Sequence, residues 1–279
     1  MAKSIATLDQ QLSTAAKLLR LLREAGLSDE ALHYPIDDSD MRNHLVTFWM
    51  SEAFMPSAEQ RVAREILGKN FFGIEDWAAL YGVNFSQKQL CAIAEFPWGE
   101  DVLNGPCPFY EGKAIRETHF AFLGLDRYMG NPLTIRKWQE IHPANGQPLF
   151  YSCPQDCWYK DEKFANDPTC AFRWYLMPLE IVPKSEYKTY PGQVAMLPAE
   201  YEVPFAVEEV TKDLLYHHKN GTFLNNSCYG RCQDLSSNDF HVSVGYFASD
   251  GLLVTHWADG CGYEDIGLAA SRKLPSLAS

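Results

Sequence analysis

The chain has no apolar run of the ~18 residues that a membrane-spanning helix requires. Its opening stretch, MAKSIATLDQQLSTAAKLL, lacks the unbroken apolar core of a signal peptide, because Asp9, Gln10 and Gln11 interrupt it. It therefore reads as a cytoplasmic protein. Basic residues are scarce. Lys and Arg number 24 against 36 Asp and Glu, for a formal charge of −12. So acidic a chain has no global field for holding nucleic acid or an anionic membrane. GxxxxGK[ST], GxGxxG, HExxH and the EF-hand pattern are all missing, and with them the commonest phosphate, dinucleotide and metal signatures. There is no internal repeat and no low-complexity tract.

What is present is material for a large core. Of the 279 residues, 46% are hydrophobic, and 16 Phe, 14 Tyr and 7 Trp are available for burial. Residues 1–97 read as an all-α region of short helices. Leu8, Leu12, Ala15, Leu18, Leu19 and Leu22 recur at helical spacing, with Gly26 as the stop. Ser28 and Asp38 or Ser39 are candidate caps for the next two segments. Ser57 and Gln60 form a capping-box pattern ahead of Val62, Ile66 and Leu67, and Gly68 closes that helix. Ile74 to Leu80 predicts another helix ending at Gly82, and Ser86 caps a last one, stopped by Pro97.

From residue 98 to 279 the texture changes to proline, glycine and β-type residues. THFAFLGLD and AFRWYLMPLEIV each read as a buried strand, and KTYPGQVAML as a short helix or turn. FAVEEVTKDLLYHHKNG is an amphipathic helix with Val207, Val210, Leu214 and Leu215 on its apolar face, Glu208 and Glu209 on a solvated one, and Gly221 at its end. His217 and His218 near its C-terminus fit the helix dipole. Short strands then follow one another to the end. Strands and helices without βαβ alternation point to an α+β fold with a mostly antiparallel sheet.

Chemistry-bearing patterns are sparse. Cys153-x-x-x-Cys157 and Cys228-x-x-x-Cys232 supply four thiols that can hold zinc, although neither pair has the tighter C-x-x-C knuckle of structural sites. Reduced, buried thiols are the plainer account of all eight cysteines. Asp234, Asp239 and Asp250 sit in turn-rich segments, where they serve as turn formers or, alternatively, as calcium ligands. His119 with Cys107 is a conceivable nucleophile pair without a supporting motif. GIEDWAALYG and SQKQLCAIAEF resemble a helix-turn-helix in spacing, but Lys88 is the sole basic group on the second helix, which argues for two packed helices rather than a DNA reader.

The final stretch carries most information. Val242, Val244 and Phe247 alternate with His241, Ser243 and Tyr246, and Leu252 and Val254 alternate with Leu253 and Thr255. Period two predicts one packed face and one exposed face. The exposed set is His241, Ser243, Tyr246, Leu253, Thr255 and His256, continued by Trp257, Cys261, Tyr263 and Glu264 in the next loop. A mixed aromatic and polar surface of this kind is what adaptable binding sites use.

This ending resembles that of a group of uncharacterised, multi-copy bacterial proteins with the pattern RxxDxxS, VxVGxF, GLxV and GxxxSRK. Arg231, Asp234, Ser237, Val242, Val244, Gly245, Phe247, Gly251, Leu252, Val254, Gly267, Ser271, Arg272 and Lys273 match it, whereas Asn238 and Asp239 depart from its usual turn. MLPAEYEVPFAVEE and GKNFFGIEDWAALYGVNFSQKQL also look like that group. The group in turn resembles the C-type-lectin fold of formylglycine-generating-enzyme type, which serves as the variable protein of diversity-generating retroelements. Leu197, Pro198 and Pro204, ahead of the helix near Glu208, stand where that fold has its Leu-Pro-Thr-like turn. The resemblance implies an N-terminal helical region followed by a C-type-lectin-like domain that displays a ligand- or protein-binding surface. Its display positions would be His241, Ser243, Tyr246, Ala248, Leu253, Thr255, His256, Ala258, Cys261, Tyr263 and Glu264. No cofactor is expected on this reading, and the partner is a protein or small molecule. The alternative is an enzyme or metalloprotein built on Cys153, Cys157, Cys228 and Cys232, although SCYGRC matches the oxidase's cysteine loop poorly.

Overall fold

A computed structural model describes residues 56–142, 150–151 and 157–275. The helices expected within residues 1–55, and Cys153, lie outside the described residues. Nine helices are described: α1 (Ala58–Leu67), α2 (Ile74–Tyr81), α3 (Gln87–Ala92), α4 (Glu100–Asn104), α5 (Ile115–Thr118), α6 (Ile135–Ile141), α7 (Lys163–Asn166), α8 (Tyr190–Val194) and α9 (Ala206–Asn220). Among them run eleven short strands: β1 (Phe71–Phe72), β2 (His119–Leu123), β3 (Arg127–Tyr128), β4 (Asn131–Pro132), β5 (Trp174–Pro178), β6 (Tyr201–Glu202), β7 (Tyr229–Leu235), β8 (His241–Ala248), β9 (Gly251–Trp257), β10 (Ile266–Leu268) and β11 (Ser271–Arg272). The fold is mixed α/β, with four small sheets among the described residues.

Local chemistry explains the helix ends. The Ser57 hydroxyl accepts the Gln60 N–H, as the capping pattern predicts. The Gln60 carboxamide does not reach back to complete the box. It is buried and donates to the carbonyls of Ile93 (2.6 Å) and Ala94 (3.3 Å), which α3 leaves without helical partners. Ser86 and Gln89 do form a reciprocal box on α3. Gly82 and Gly221 close α2 and α9 in the left-handed conformation, with φ of 65° and 66°.

One core runs from α1 to β9 without a break at residue 97. Phe71 and Phe72 bring β1 alongside β2 in parallel, and β2 pairs with β5 antiparallel, Phe120 opposite Met177. Every side chain of β2 and β5 is buried. The Trp77 indole of α2 donates to the Leu123 carbonyl at 2.8 Å, which fixes that helix on the sheet.

The second sheet has the order β10-β7-β8-β9. β7 to β9 form an antiparallel meander, and β10 joins β7 in parallel. α9 packs against this sheet, and its residues from Ala206 to His217 are buried on all sides. The expectation of a solvated Glu208 and Glu209 is corrected here, because the helix lies between two sheets and has no outer face over that span. Glu208 accepts the Phe205 N–H at 2.9 Å and so caps its own helix, while Glu209 bonds Lys212. The dipole role of the histidines is corrected as well. Burial lowers the pKa of both His217 and His218, so they pack as neutral rings, His217 on Phe223 and His218 against Tyr81.

Candidate functional site

The β8–β9 register sorts the candidate side chains onto two faces. His241 stands opposite Trp257, Ser243 opposite Thr255, and Gly245 opposite Leu253. Directly paired residues share a face, so these six positions lie on one face, where His241 meets Tyr190 of α8. Val242 stands opposite His256 and Val244 opposite Val254, and this second set looks toward α9 and Trp158. His256 is therefore separated from the other predicted display residues. Its ring lies 4.4 Å from that of Trp158 and 5.6 Å from that of Phe240.

Ser243 is also corrected. It is fully buried, not exposed. Its neighbour on β7 is Arg231, whose guanidinium reaches across this face to Gln193 of α8 (Nη1 to Oε1, 3.1 Å) and to the Ala258 carbonyl (3.4 Å). α8 and the loop after β9 thus roof the middle of the face. The Ser243 hydroxyl, Arg231 Nε and Trp257 Nε1 have no hydrogen-bond partner among the described residues.

Around that roof the remaining candidates reach solvent at least in part: His241, Tyr246, Ala248, Leu253, Thr255, Ala258, Cys261, Tyr263 and Glu264. His241 is the best held. Its ring stacks on Tyr190 with centroids 3.5 Å apart, and its Nδ1–H donates to Asp259 Oδ2 at 2.6 Å. A carboxylate only accepts, so the hydrogen sits on Nδ1. Tyr246 has a positive φ of 44° at the bulge between Gly245 and Ala248. The bulge turns its ring onto Tyr229 (4.6 Å), and its hydroxyl donates to Asp265 at 3.0 Å. Tyr263 packs on Trp257 at 5.0 Å, and Glu264 accepts from the Tyr187 hydroxyl at 3.2 Å. Desolvation and the bonded Asp265 raise the Tyr246 phenol, and desolvation and the bonded Glu264 raise that of Tyr187, so both stay protonated donors.

The residues of the C-terminal pattern hold this surface from below. Asp234 accepts the Ala206 N–H at 2.5 Å and caps α9. Ser237 bonds Glu162 through both its N–H and its hydroxyl. A side chain at Gly245 would collide with the Cys228 carbonyl, and one at Gly267 with the Ile181 side chain. Ser271 and Arg272 form β11 against β6, and the Lys273 amine donates to the Ala199 carbonyl at 2.7 Å.

Two concavities share Trp158 as a wall. One, of about 160 Å³, is lined by Tyr151, Trp158, Tyr229, Leu253 and Thr255, above the bare backbone of Gly245. The other, of about 510 Å³, is an open groove lined by Trp158, Asp161, Glu162, Lys163, Leu235 and Ser237. Trp158 separates them, held by its indole N–H on the Val254 carbonyl at 2.9 Å.

Tyr187, Tyr190, Tyr229, Asp259 and Asp265 belong to this surface and were missed by period-two reasoning. They come from other segments, and only long-range pairing brings them in.

The cysteines present a different picture. Cys157 is half-buried and accepts from Gln139 at 3.2 Å, while the Cys228 and Cys232 thiols donate to Asn225 Oδ1 and the Gly230 carbonyl. Burial pushes Cys228 up to about 12 and Cys232 well above its ordinary value, which leaves both as thiols rather than nucleophilic thiolates. Among the described residues no three His, Cys, Asp or Glu side chains come together as a metal site. His119 does not face Cys107 as a base. Its two nitrogens are engaged by Thr118 (2.9 Å) and Tyr201 (3.0 Å). No described helix is long and apolar enough to cross a membrane. No protein-family model, curated protein or solved structure matches the chain.

Proposed function

We propose that the chain is a binding protein whose C-terminal half is a C-type-lectin-like domain, and that its ligand surface is the outer face of β8 and β9 with the loop that follows. One observation carries the reading. With Ser243 counted among the scaffold, side chains that reach solvent and buried ones occupy different positions along the last strands. His241, Tyr246, Leu253, Thr255, Ala258, Cys261, Tyr263 and Glu264 reach solvent. Arg231, Val242, Val244, Phe247, Leu252 and Ser271 are buried. A rigid scaffold under exposed Tyr, His, Thr and Glu side chains suits recognition of a protein or small molecule and requires no reaction at the site.

The same separation supports diversification of the exposed positions by a retroelement, since their codons can change without disturbing the core. Ser243 then belongs with the scaffold. Sequencing the DNA around the gene tests the proposal. The expected result is a reverse-transcriptase gene and an imperfect copy of codons 235–273. Its mismatches should fall on the exposed set and spare Gly245, Phe247 and Ser243. A copy whose mismatches fall on buried positions, or no copy and no reverse transcriptase, would overturn it.

A further inference from the structure

The buried side of α9 holds a second arrangement, independent of the ligand surface. Glu209, Lys212 and Asp213 are buried on the helix, and Asn225 is buried on the loop that leads into β7. A single oxygen, Glu209 Oε1, accepts from both Lys212 Nζ at 2.5 Å and Asn225 Nδ2 at 3.0 Å. The lysine amine and the asparagine carboxamide are therefore side by side in a dry core, joined by one carboxylate. The ion pairing is incomplete. Glu209 Oε2 has no hydrogen-bond partner among the described residues, and Asp213 meets the lysine only as an ion pair, Oδ1 to Nζ 3.4 Å. Buried ions held this loosely are costly to keep.

We propose that Lys212 and Asn225 join in an intramolecular isopeptide bond, with Glu209 as the proton carrier. The Lys212 ammonium hands a proton to Glu209. The freed amine attacks Cγ of Asn225, a Cγ–Nζ bond forms, and the Cγ–Nδ2 bond breaks. Nδ2 leaves as ammonia, taking up the second proton that Nζ loses. The products are a secondary amide, a neutral Glu209 carboxyl and one ammonia molecule, so atoms and charge balance with no further reactant. The reaction discharges the buried lysine and ties α9 covalently to the sheet. Proximity supplies what water cannot, because both groups are held in place by the fold and shielded from solvent. Against burial, which favours a neutral amine, Glu209 and Asp213 hold Lys212 up to about 12, so the amine is released only through transfer to a carboxylate that touches it. Burial raises the Asp213 carboxyl while the lysine beside it, 3.4 Å away, opposes that rise.

The test is the intact mass of the full chain, followed by tryptic peptide mapping. The expected mass is lower than that of the sequence by one ammonia. Trypsin then fails to cut after Lys212, and the peptide bearing Lys212 remains joined to the one bearing Asn225. The unreduced sequence mass overturns the proposal. So does loss of ammonia with Lys212 still cleavable, which is the signature of succinimide formation at an asparagine. Glu209→Gln, checked for a cooperative melt, is expected to retain full mass in its folded fraction. A cross-link formed at the wild-type level in that variant overturns the role given to Glu209.

Discussion

The imidazole of His241 lies on the phenol of Tyr190 with ring centroids 3.5 Å apart and planes inclined by 22°. The contact ties the first residue of β8 to the first residue of α8, and the Asp259 carboxylate holds the imidazole from the loop. Alternation along β8 predicts an exposed, freely replaceable His241, for which His241→Ala would change stability by less than ~0.5 kcal/mol. The stack and the short hydrogen bond raise the expected cost to about 1–2 kcal/mol. A double-mutant cycle with Tyr190→Ala should give a coupling of about 0.5–1.5 kcal/mol. Urea melts of the four proteins decide it, and additivity would mean that the rings do not interact in solution.

Ser243 behaves differently from its neighbours on the same face. Its hydroxyl is buried and unpartnered, so Ser243→Ala removes a desolvated polar group. Stability should stay level or rise by up to about 1 kcal/mol. Ser243→Tyr, which would be harmless at a display position, should cost about 1–3 kcal/mol or more by overpacking beneath Arg231. Thermal melts in which the tyrosine variant is neutral would return Ser243 to the display set.

The bulge between Gly245 and Ala248 sets the facing of the rest of β8. It places Phe247 in the core against the rings of His217 (5.1 Å) and Phe223 (5.0 Å). Phe247→Ala should therefore cost about 3–5 kcal/mol. Gly245→Ala should cost more than about 2 kcal/mol, because its new methyl group would press on the Cys228 carbonyl just ahead of the adjoining strand. Chemical denaturation of both variants checks this, and a mild effect at Phe247 would show that the bulge faces the other way.

Much of this architecture was legible in the residues. Ser57, Gly82, Ser86 and Gly221 marked helix ends because capping is decided within a few residues of the chain. Strict alternation predicts packed Val242 and Val244, and Phe247 follows them inward because Gly245 marks the place where the alternation shifts by one residue. The errors share one cause. Glu208, Glu209 and Ser243 are polar groups buried by segments distant in the chain, and His256 is placed on the other face by pairing with Val242. Nothing within a helix turn or a strand of these residues signals the α8 roof or the second sheet over α9. Tyr190, inside a predicted short helix, and Asp259, just after a predicted strand, give no local sign of their contact for the same reason.

His119 gives the fold an acid-labile point. The ring is fully buried between Thr118 and Tyr201. Burial, and after it the Arg272 charge, lowers its pKa from 6.5 to about 3. In the unfolded chain the same histidine takes up a proton near its ordinary value. Between those two values the unfolded state therefore binds more protons than the native one, and stability falls as pH falls. The contribution is fully present above pH 6.5 and is lost progressively toward pH 3, by up to ~1.4 kcal/mol per pH unit for this one group. His217 and His218 are lowered by burial as well and steepen the same limb. Unfolding free energies measured from pH 7.5 to 4.5 should show that slope, and His119→Gln, which cannot titrate, should flatten it even though it is less stable at neutral pH. An unchanged slope in the variant would assign the acid sensitivity to other groups and leave His119 protonated, or solvent-accessible, in the folded protein.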